Sequence, residues 1–219
     1  MKVIELKKTF TESNDRDAEE LRQYLKENKV FLINLMSAAG SGKTTLLART
    51  ITDLKGKASI AVMEADIASE VDAVRIAALG AQSIQVHTDG MCHMDAGMTR
   101  AGLEAMDLSG MDIIFLENIG NLICPAEYDT GAAKKVMILS VPEGDDKPLK
   151  YPLMFRESDA LVVTKTDALP FFNFDMEKLY ERVRRLNPDI RIFPVSAKKG
   201  DGMTDFEAWL LEEAEAWRS

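Results

Sequence analysis

The chain has 219 residues, of which 46% are hydrophobic and 29% are charged, a composition ordinary for one large globular domain. Its net charge of −9 disfavours nonspecific nucleic-acid binding, which depends on cationic contacts to phosphates. No apolar run approaches the roughly 18 residues of a membrane-spanning helix, and the first residues lack an apolar segment of signal-peptide length. We therefore expect a cytoplasmic protein without membrane contact, in which two cysteines do not make a disulfide framework.

Apolar segments alternate with helical patterns along most of the chain. Residues 13–29 form an amphipathic helical pattern, with Ala18, Leu21 and Leu25 at helical spacing. Core strands are predicted at 30–36, 59–65, 111–118, 134–141, 159–165 and 189–195, and helices at 43–55, 69–80, 95–106, 175–187 and 203–217. The Pro- and charge-rich segment 142–152 indicates a structured loop. Such alternation predicts a mostly parallel sheet with helices on both faces, a three-layer α/β fold.

The segment SAAGSGKTT, residues 37–45, lies between the first core strand and the next helix. It matches the phosphate-binding pattern G-x-x-x-x-G-K-[ST], except that Ser37 stands where the first glycine is usual. Glycines let the backbone approach the phosphates, and backbone N–H groups at the helix N-terminus face them. The residues expected to bind nucleotide are Gly40, Ser41, Gly42, Lys43, Thr44 and Thr45, with the Thr44 hydroxyl on Mg²⁺. A chance Gly-rich turn is the alternative, but the strand–loop–helix context favours a P-loop NTPase domain spanning residues 1–219.

Two later strand ends carry patterns typical of guanine recognition. In VTKTD, Lys165 and Asp167 form a K-x-D pattern, whose carboxylate accepts hydrogen bonds from the guanine N1–H and exocyclic amine. Adenine lacks this pair of donors, so the pattern predicts GTP rather than ATP. In PVSAKKG, Ser196, Ala197 and Lys198 are similar to a third guanine-recognition element. A plain charged loop is the alternative for K-x-D, and the order of the two elements favours the guanine interpretation.

The chain resembles the GTPases of hydrogenase and urease maturation, within the P-loop class (SIMIBI) that dimerises around nucleotide. The resemblance is carried by SAAGSGKTTLL, EADIASEVDAVRI, TDGMCHMDA, FLENIGNLICPAEYD, SVPEGDDKPLKYP, VTKTDALPFFNFD and LNPDIRIFPVSAKKGDGM, which lie between residues 30 and 205. It is closer to the hydrogenase type, the HypB family, because the Cys-Pro-His metal motif of the urease type is absent. The resemblance implies a GTP-binding, slowly GTP-hydrolysing metallochaperone that helps insert nickel into [NiFe]-hydrogenase.

The resemblance also assigns residues near the γ-phosphate. Asp66 follows an apolar strand and is similar to the switch I carboxylate near Mg²⁺, although a helix-capping Asp is the alternative. Glu117 lies at the end of a core strand, the position at which nucleotide-hydrolysing relatives have an acidic residue near Mg²⁺. Gly120 allows a switch II loop to reach the γ-phosphate. Lys43, Asp66 and Glu117 are therefore the candidate catalytic residues. The choice between Asp66 and Glu117 as the group that orients the attacking water stays open.

Cys92 and His93 are neighbours in TDGMCHMDAG, and Cys124 lies in GNLICPAEYD. From the residues alone, two structural thiols and an incidental histidine are the simpler interpretation, since the spacing is not that of a zinc finger. The resemblance reverses that preference and implies an interfacial Ni²⁺ or Zn²⁺ site of two thiolates and an imidazole. Cys124 follows Glu117 closely in sequence, so we expect GTP hydrolysis to shift Cys124 and change metal affinity. His87 has no matching role and is expected to be structural.

Two departures from the family pattern matter. The chain begins MKVIELKKTF and lacks the N-terminal Cys-rich or His-rich nickel segments that many members carry, so a storage role is unsupported. The guanine motif usually begins with Asn, and here Thr164 stands in that position. Thr keeps a hydroxyl but lacks the second hydrogen-bonding arm of the amide. We therefore expect weaker nucleotide binding, with guanine selectivity retained through Asp167.

The family resemblance implies several partners. A second copy of the chain would form a GTP-dependent homodimer, in which Lys147 reaches towards the partner's nucleotide. The other implied partners are a HypA-type nickel protein and the hydrogenase large subunit. An exposed loop charge is the alternative for Lys147. The sequence leaves three competing functions: a urease-type nickel accessory GTPase, a nucleotide switch without a metal role and a P-loop small-molecule kinase. The TKTD and SAK segments disfavour the kinase, because a kinase needs no guanine pocket.

Overall fold

A computed structural model describes residues 6–65 and 76–219. Its strands are β1 (Phe31–Ser37), β2 (Ile60–Glu64), β3 (Gln82–Gln85), β4 (Ile113–Gly120), β5 (Lys134–Ser140), β6 (Ala160–Thr164) and β7 (Arg191–Pro194). Its α-helices are α1 (Leu6–Glu27), α2 (Lys43–Asp53), α3 (Ala96–Glu104), α4 (Cys124–Glu127), α5 (Lys147–Lys150), α6 (Pro152–Arg156), α7 (Met176–Leu186) and α8 (Met203–Arg218). Two short 3₁₀ helices span Val141–Glu143 and Thr166–Phe171.

The strands of the described residues form one parallel sheet in the order β3-β2-β4-β1-β5-β6-β7. The strand before the phosphate loop, β1, lies at the centre between β4 and β5. Every strand runs in the same direction, so their carboxyl ends meet at one edge of the sheet, where open α/β sheets bind ligands. The phosphate loop, the guanine motifs and the Cys-containing segments all follow carboxyl ends of strands and therefore share this edge.

Side chains of the central strand β1 point alternately to the two faces of the sheet. Phe31, Ile33 and Leu35 pack in a core with side chains of α2 and α8, while Leu32 and Met36 belong to two cores on the other face. Those two cores include side chains of α1 and α3, and of α6 and α7, respectively. Helices thus cover both faces, which explains why β1 is apolar at almost every position. The predicted three-layer α/β fold is confirmed.

Three details differ from the sequence expectations. Helix α1 begins at Leu6, before the predicted start at residue 13, and Asn14 therefore lies inside it, where its side chain donates to Asp129 O and accepts from Ala96 N. The predicted loop 142–152 contains the short helix α5 and ends at Pro152, where α6 begins. Strand β3 was not predicted, because QSIQ is short and polar, and its strand structure comes from pairing with β2 at the sheet edge.

Two other sequence expectations concern helices. Most of the predicted helix 69–80 lies outside the described residues, which resume at residue 76. Within the described part of the chain, no helix combines the length and the apolar character needed to cross a membrane.

Candidate nucleotide and metal site

The phosphate loop leaves β1 at Ser37 and enters α2 at Lys43. Gly40 and Gly42 adopt left-handed φ angles of 72° and 97°, which glycine tolerates without strain. A cavity of about 520 Å³ opens above the loop, bounded by the start of α2 and by the carboxyl end of β4. Its lining residues include Gly40, Gly42, Lys43, Thr44, Thr45, Ala65, Glu117, Asn118 and Gly120. The geometry therefore offers an anion-binding helix N-terminus with a lysine and a threonine hydroxyl beside it.

Ser37 has a contact that a glycine in its position could not make. Its buried hydroxyl accepts a hydrogen bond from Lys43 Nζ at 2.9 Å and donates to Ala38 O at 2.8 Å. The serine thus holds the ammonium of Lys43 at the base of the loop while the loop keeps its backbone conformation. The departure from the usual motif is compatible with phosphate binding.

A second cavity of about 280 Å³ lies beside the first and shares Gly42, Thr45 and Lys165 with it. The wall of this cavity also includes Thr164, Asp167, Ala168, Ala197 and Lys198. Ser196 is fully buried beneath it, and its hydroxyl donates to Asp167 Oδ1 at 2.8 Å. That hydrogen bond holds the pKa of Asp167 below its ordinary value, so the carboxylate is an ionised acceptor at neutral pH. The TKTD and SAK segments therefore line one pocket, and their recognition of guanine stays a prediction.

Thr164 and Lys165 connect this pocket to the phosphate loop. The Thr164 hydroxyl donates to Ser41 O at 2.6 Å, and Lys165 Nζ donates to Gly40 O at 2.7 Å. Lys165 adopts a left-handed φ of 58°, which is unusual for a residue with a side chain. The hydroxyl of Thr164 thus contacts the phosphate loop, although Thr164 lacks the side-chain amide of the Asn that is usual at this position. Its predicted effect on nucleotide affinity stays a prediction.

The carboxyl end of β4 faces the phosphate loop. Glu117 lines the same cavity as Thr44, so a carboxylate and a hydroxyl oxygen face one space. A Cβ atom at Gly120 would lie 2.9 Å from Ala39 N, so only glycine allows the backbone to pass the loop this closely. Asp66, the other candidate acid, lies outside the described residues.

Cys92, His93 and Cys124 lie together at the same edge of the sheet. One ligand atom from each falls within 4.8 Å of the others, a spacing that suits a shared metal ion. Cys92 Sγ is 2.8 Å from Cys124 Sγ and 3.7 Å from His93 Nδ1. The imidazole stacks on Tyr128 with ring centroids 3.7 Å apart, which fixes its orientation. The loop after β3 supplies the Cys-His pair and α4 begins at Cys124, so one chain brings all three ligands together.

The protonation states of the cluster follow from its surroundings. Burial lowers the pKa of His93, which favours the neutral imidazole that metals bind. The pKa of the Cys92 thiol is raised, first by its hydrogen bond to Cys124 and then by burial. Two thiols and an imidazole are soft and borderline donors, suited to Zn²⁺ or Ni²⁺ rather than to Mg²⁺. Metal binding at this cluster would therefore release protons from the thiols.

Two other sequence candidates lie apart from these groups. Lys147 begins α5, where its ammonium lies 5.7 Å from the centroid of the Tyr151 ring. His87 is exposed and does not join the cluster. The role of Lys147 at a partner's nucleotide stays a prediction.

Sequence reasoning missed the supporting side chains of both sites. Asn34, Asn118 and Tyr128 lie against the ligand-bearing segments without belonging to a motif that sequence reasoning used. A polar residue inside an apolar strand, such as Asn34 in FLINLMS, was the available signal, because a buried amide needs a partner.

Comparison with known proteins agrees with this geometry. The family profile described as CobW/HypB/UreG, nucleotide-binding domain, matches residues 31–194. The hydrogenase maturation factor HypB of Azotobacter chroococcum mcd 1 is 45% identical over 211 residues, covering 95% of this chain and 68% of that protein. The chain belongs to the HypB family. HypB of Escherichia coli strain K12 is 43% identical over 209 residues, covering 95% of this chain and 72% of the relative.

Solved HypB structures have the same fold. HypB from Helicobacter pylori in complex with nickel matches with a TM-score of 0.88 and 36% identity, covering 94% of this chain and 98% of that one. HypB from Archaeoglobus fulgidus matches with a TM-score of 0.86 and 34% identity, covering 92% and 98%. The signal recognition particle receptor FtsY from Elizabethkingia anophelis matches at only 13% identity with a TM-score of 0.56, and shares the fold alone. The fold is therefore that of the P-loop GTPases.

Proposed function

We propose that this chain is a GTP-hydrolysing nickel metallochaperone for hydrogenase maturation, formed by one domain over residues 1–219. The observation that carries the proposal is the cluster of Cys92, His93 and Cys124, reached from the nucleotide cavity by the short segment 117–124. The relatives are named hydrogenase maturation factors, and one structural neighbour was solved with nickel. A nucleotide switch without a metal role would not need this ligand set.

The nucleotide residues divide into two groups. Asp167, oriented by Ser196, selects guanine, and the stem of Lys165 covers the base beside Ala197 and Lys198. Gly40, Ser41, Gly42, Lys43, Thr44 and Thr45 surround the phosphates with backbone N–H groups, an ammonium and hydroxyls. Binding of GTP thus uses both cavities, which the Thr164 and Lys165 contacts hold side by side.

The oxygen donors facing the phosphate cavity fit Mg²⁺, because this cation prefers hydroxyl, carboxylate and phosphate oxygens. Thr44 and Glu117 would hold it, with Asp66 as a third candidate; when bound, it would neutralise charge on the β- and γ-phosphates. Lys43 neutralises phosphate oxygens, and Glu117 or Asp66 orients the attacking water. We expect slow hydrolysis, well below the ~10 s⁻¹ of a typical metabolic enzyme, because switching rather than turnover is the output.

Nickel is the cargo in this proposal, and Zn²⁺ is the alternative ion. Thiolates of Cys92 and Cys124 with the imidazole of His93 leave room for further ligands, which a second subunit supplies in a GTP-dependent homodimer. Lys147 contacts the partner's nucleotide in that dimer. Movement of segment 117–124 on hydrolysis changes the position of Cys124 and so the metal affinity. A cytoplasmic HypA-type nickel protein and the hydrogenase large subunit are the proposed partners.

Size-exclusion chromatography tests the proposal directly. The protein is run with and without a GTP analogue and Ni²⁺, and the metal content of each peak is measured. We expect a nucleotide-dependent dimer that carries metal in the wild type. The variants Cys92→Ala and Cys124→Ala should dimerise with nucleotide but lose the metal. Unchanged metal content in both variants would leave a GTPase without the proposed cargo site.

The names of two relatives support the alternative function, a nickel accessory GTPase for urease. Relatives from two Helicobacter species, at 38% and 39% identity, are named hydrogenase/urease maturation factor HypB. The same metal site could therefore serve a urease client, which pull-down of urease accessory proteins would detect.

A further inference from the structure

The side chain of Asn118 lies between the two sites. It is 1% exposed and follows Glu117 directly in β4. Its carbonyl Oδ1 accepts hydrogen bonds from Met94 N at 3.2 Å and from Ile119 N at 2.9 Å. Its amide Nδ2 donates to Asn34 Oδ1 at 3.0 Å. One buried side chain thus touches the strand before the phosphate loop, the start of segment 117–124 and the loop that carries Cys92 and His93.

The Met94 contact matters because of its place in the chain. Met94 directly follows His93, and its side chain is buried in the core, so its backbone position sets where the Cys-His pair stands. Segment 117–124 reaches Cys124 through the chain itself, whereas its links to the loop after β3 are non-covalent, and one of them is the exposed hydrogen bond from Asn121 Nδ2 to Cys92 O at 3.4 Å. Asn118 supplies such a connection through a buried hydrogen bond.

The network has little freedom to rearrange. Asn34 is fully buried in β1, and its Nδ2 has no hydrogen-bond partner within the described residues. If β4 moved relative to β1 or to the loop, a buried amide or backbone N–H would lose its partner, which costs free energy at a buried position. Displacement at the end of β4 therefore carries the Met94 backbone with it.

We propose that Asn118 is a positioning residue that transmits the nucleotide state to the Cys92–His93 half of the metal site. The inference rests on the proposed function, in which nucleotide and metal binding are coupled. Cys124 responds through segment 117–124, and the Cys-His pair responds through Asn118. Both halves of the cluster then shift together, so that metal affinity depends on whether GTP or GDP is bound.

The test measures a ratio of affinities. Ni²⁺ dissociation constants are determined with a non-hydrolysable GTP analogue and with GDP bound, for the wild type and for Asn118→Leu. Leucine keeps the size of the side chain and removes all three hydrogen bonds. Coupling between sites is typically about fivefold or more, so we expect a wild-type ratio of that size and a ratio within about twofold in the variant.

A matched control separates coupling from stability. Asn187 Nδ2 donates to Phe155 O, Arg156 O and Ser158 O, and none of these four residues lines the two nucleotide cavities or belongs to the metal cluster. Asn187→Leu also removes three hydrogen bonds and is expected to lower stability while it keeps the wild-type ratio. Asn118→Ser, which retains one hydroxyl at the position, is expected to have an intermediate ratio.

The outcomes distinguish the two hypotheses. A wild-type ratio near one would overturn the proposed nucleotide–metal coupling itself. A wild-type ratio that persists in Asn118→Leu would overturn only the role of Asn118. If the leucine variant does not fold, hydrogen–deuterium exchange of the Met94 amide in the wild type decides the question. We expect its exchange rate to differ severalfold between GTP-analogue and GDP states, and an identical rate would overturn the inference.

Discussion

Thr164 is one of two residues, with Lys165, through which the guanine loop contacts the phosphate loop, so loss of its hydroxyl should affect both stability and nucleotide affinity. Thr164→Val keeps the shape of the side chain but removes the donor to Ser41 O, and both residues are buried. A buried carbonyl left without its donor costs about 1–3 kcal/mol. Because the proposed GTP site places the two loops at opposite ends of the nucleotide, we expect part of that cost in binding. At about 1.4 kcal/mol per tenfold change, a cost near 1 kcal/mol raises the GTP dissociation constant about fivefold.

Urea unfolding and calorimetric titration with GTP measure the two effects separately. Thr164→Ser keeps the hydroxyl and should bind GTP like the wild type. Thr164→Asn restores the usual family residue, and we expect it to bind GTP more tightly than the wild type because the amide adds a second hydrogen-bonding arm. A valine variant with wild-type stability and GTP affinity would refute the assigned role of the hydroxyl, and equal ATP and GTP affinities in the wild type would refute guanine selectivity.

Three further changes test other parts of the structure. Asp167→Asn should remove the preference for GTP over ATP in competition titrations, because an amide oxygen cannot accept both guanine hydrogen bonds as an ionised carboxylate does. Gly120→Ala should slow GTP hydrolysis in a phosphate-release assay, since its Cβ would meet Ala39 N at 2.9 Å. Burial, followed by the nearby Asp53 carboxylate, raises the pKa of Glu207 from 4.5 to about 7. The folded state therefore binds this proton more tightly than the unfolded state, so stability falls as pH rises from about 4.5 through 7. Glu207→Gln should flatten that slope in unfolding experiments at several pH values, and an unchanged slope would contradict the pKa assignment.

The parts of the fold predicted correctly from sequence are those encoded locally. The phosphate loop was recognisable because glycines and a lysine at fixed spacing are all that a loop needs to surround a phosphate. The central strands were recognisable because burial on both faces leaves a continuous apolar run, as in FLINLM before Ser37. The hydrogen bond between Ser196 and Asp167 was not itself predicted, and it forms because the two segments follow strands that end at the same edge of a parallel sheet.

The features that were missed depend on contacts between distant segments. Gln82–Gln85 is a strand because β2 offers it hydrogen bonds, and its own residues carry little strand preference. Asn118 meets Asn34 across 84 positions because the β1–β4 register places Asn34 opposite Leu116. No spacing rule in a single sequence predicts such a pair. The metal ligands were found only by family resemblance, since their closeness depends on two loops that follow different strands.

The topology explains why nucleotide and metal sites are neighbours. The phosphate loop follows β1, segment 117–124 ends β4 and leads to Cys124, and the Cys-His loop follows β3. Parallel pairing puts these three carboxyl ends at one edge, and β4 lies between β1 and β2 in the sheet. In the proposed mechanism, a change at the γ-phosphate acts on the end of β4, which leads to Cys124. Coupling through Glu117 and Asn118 needs only a small displacement at the end of one strand, without rotation of a domain.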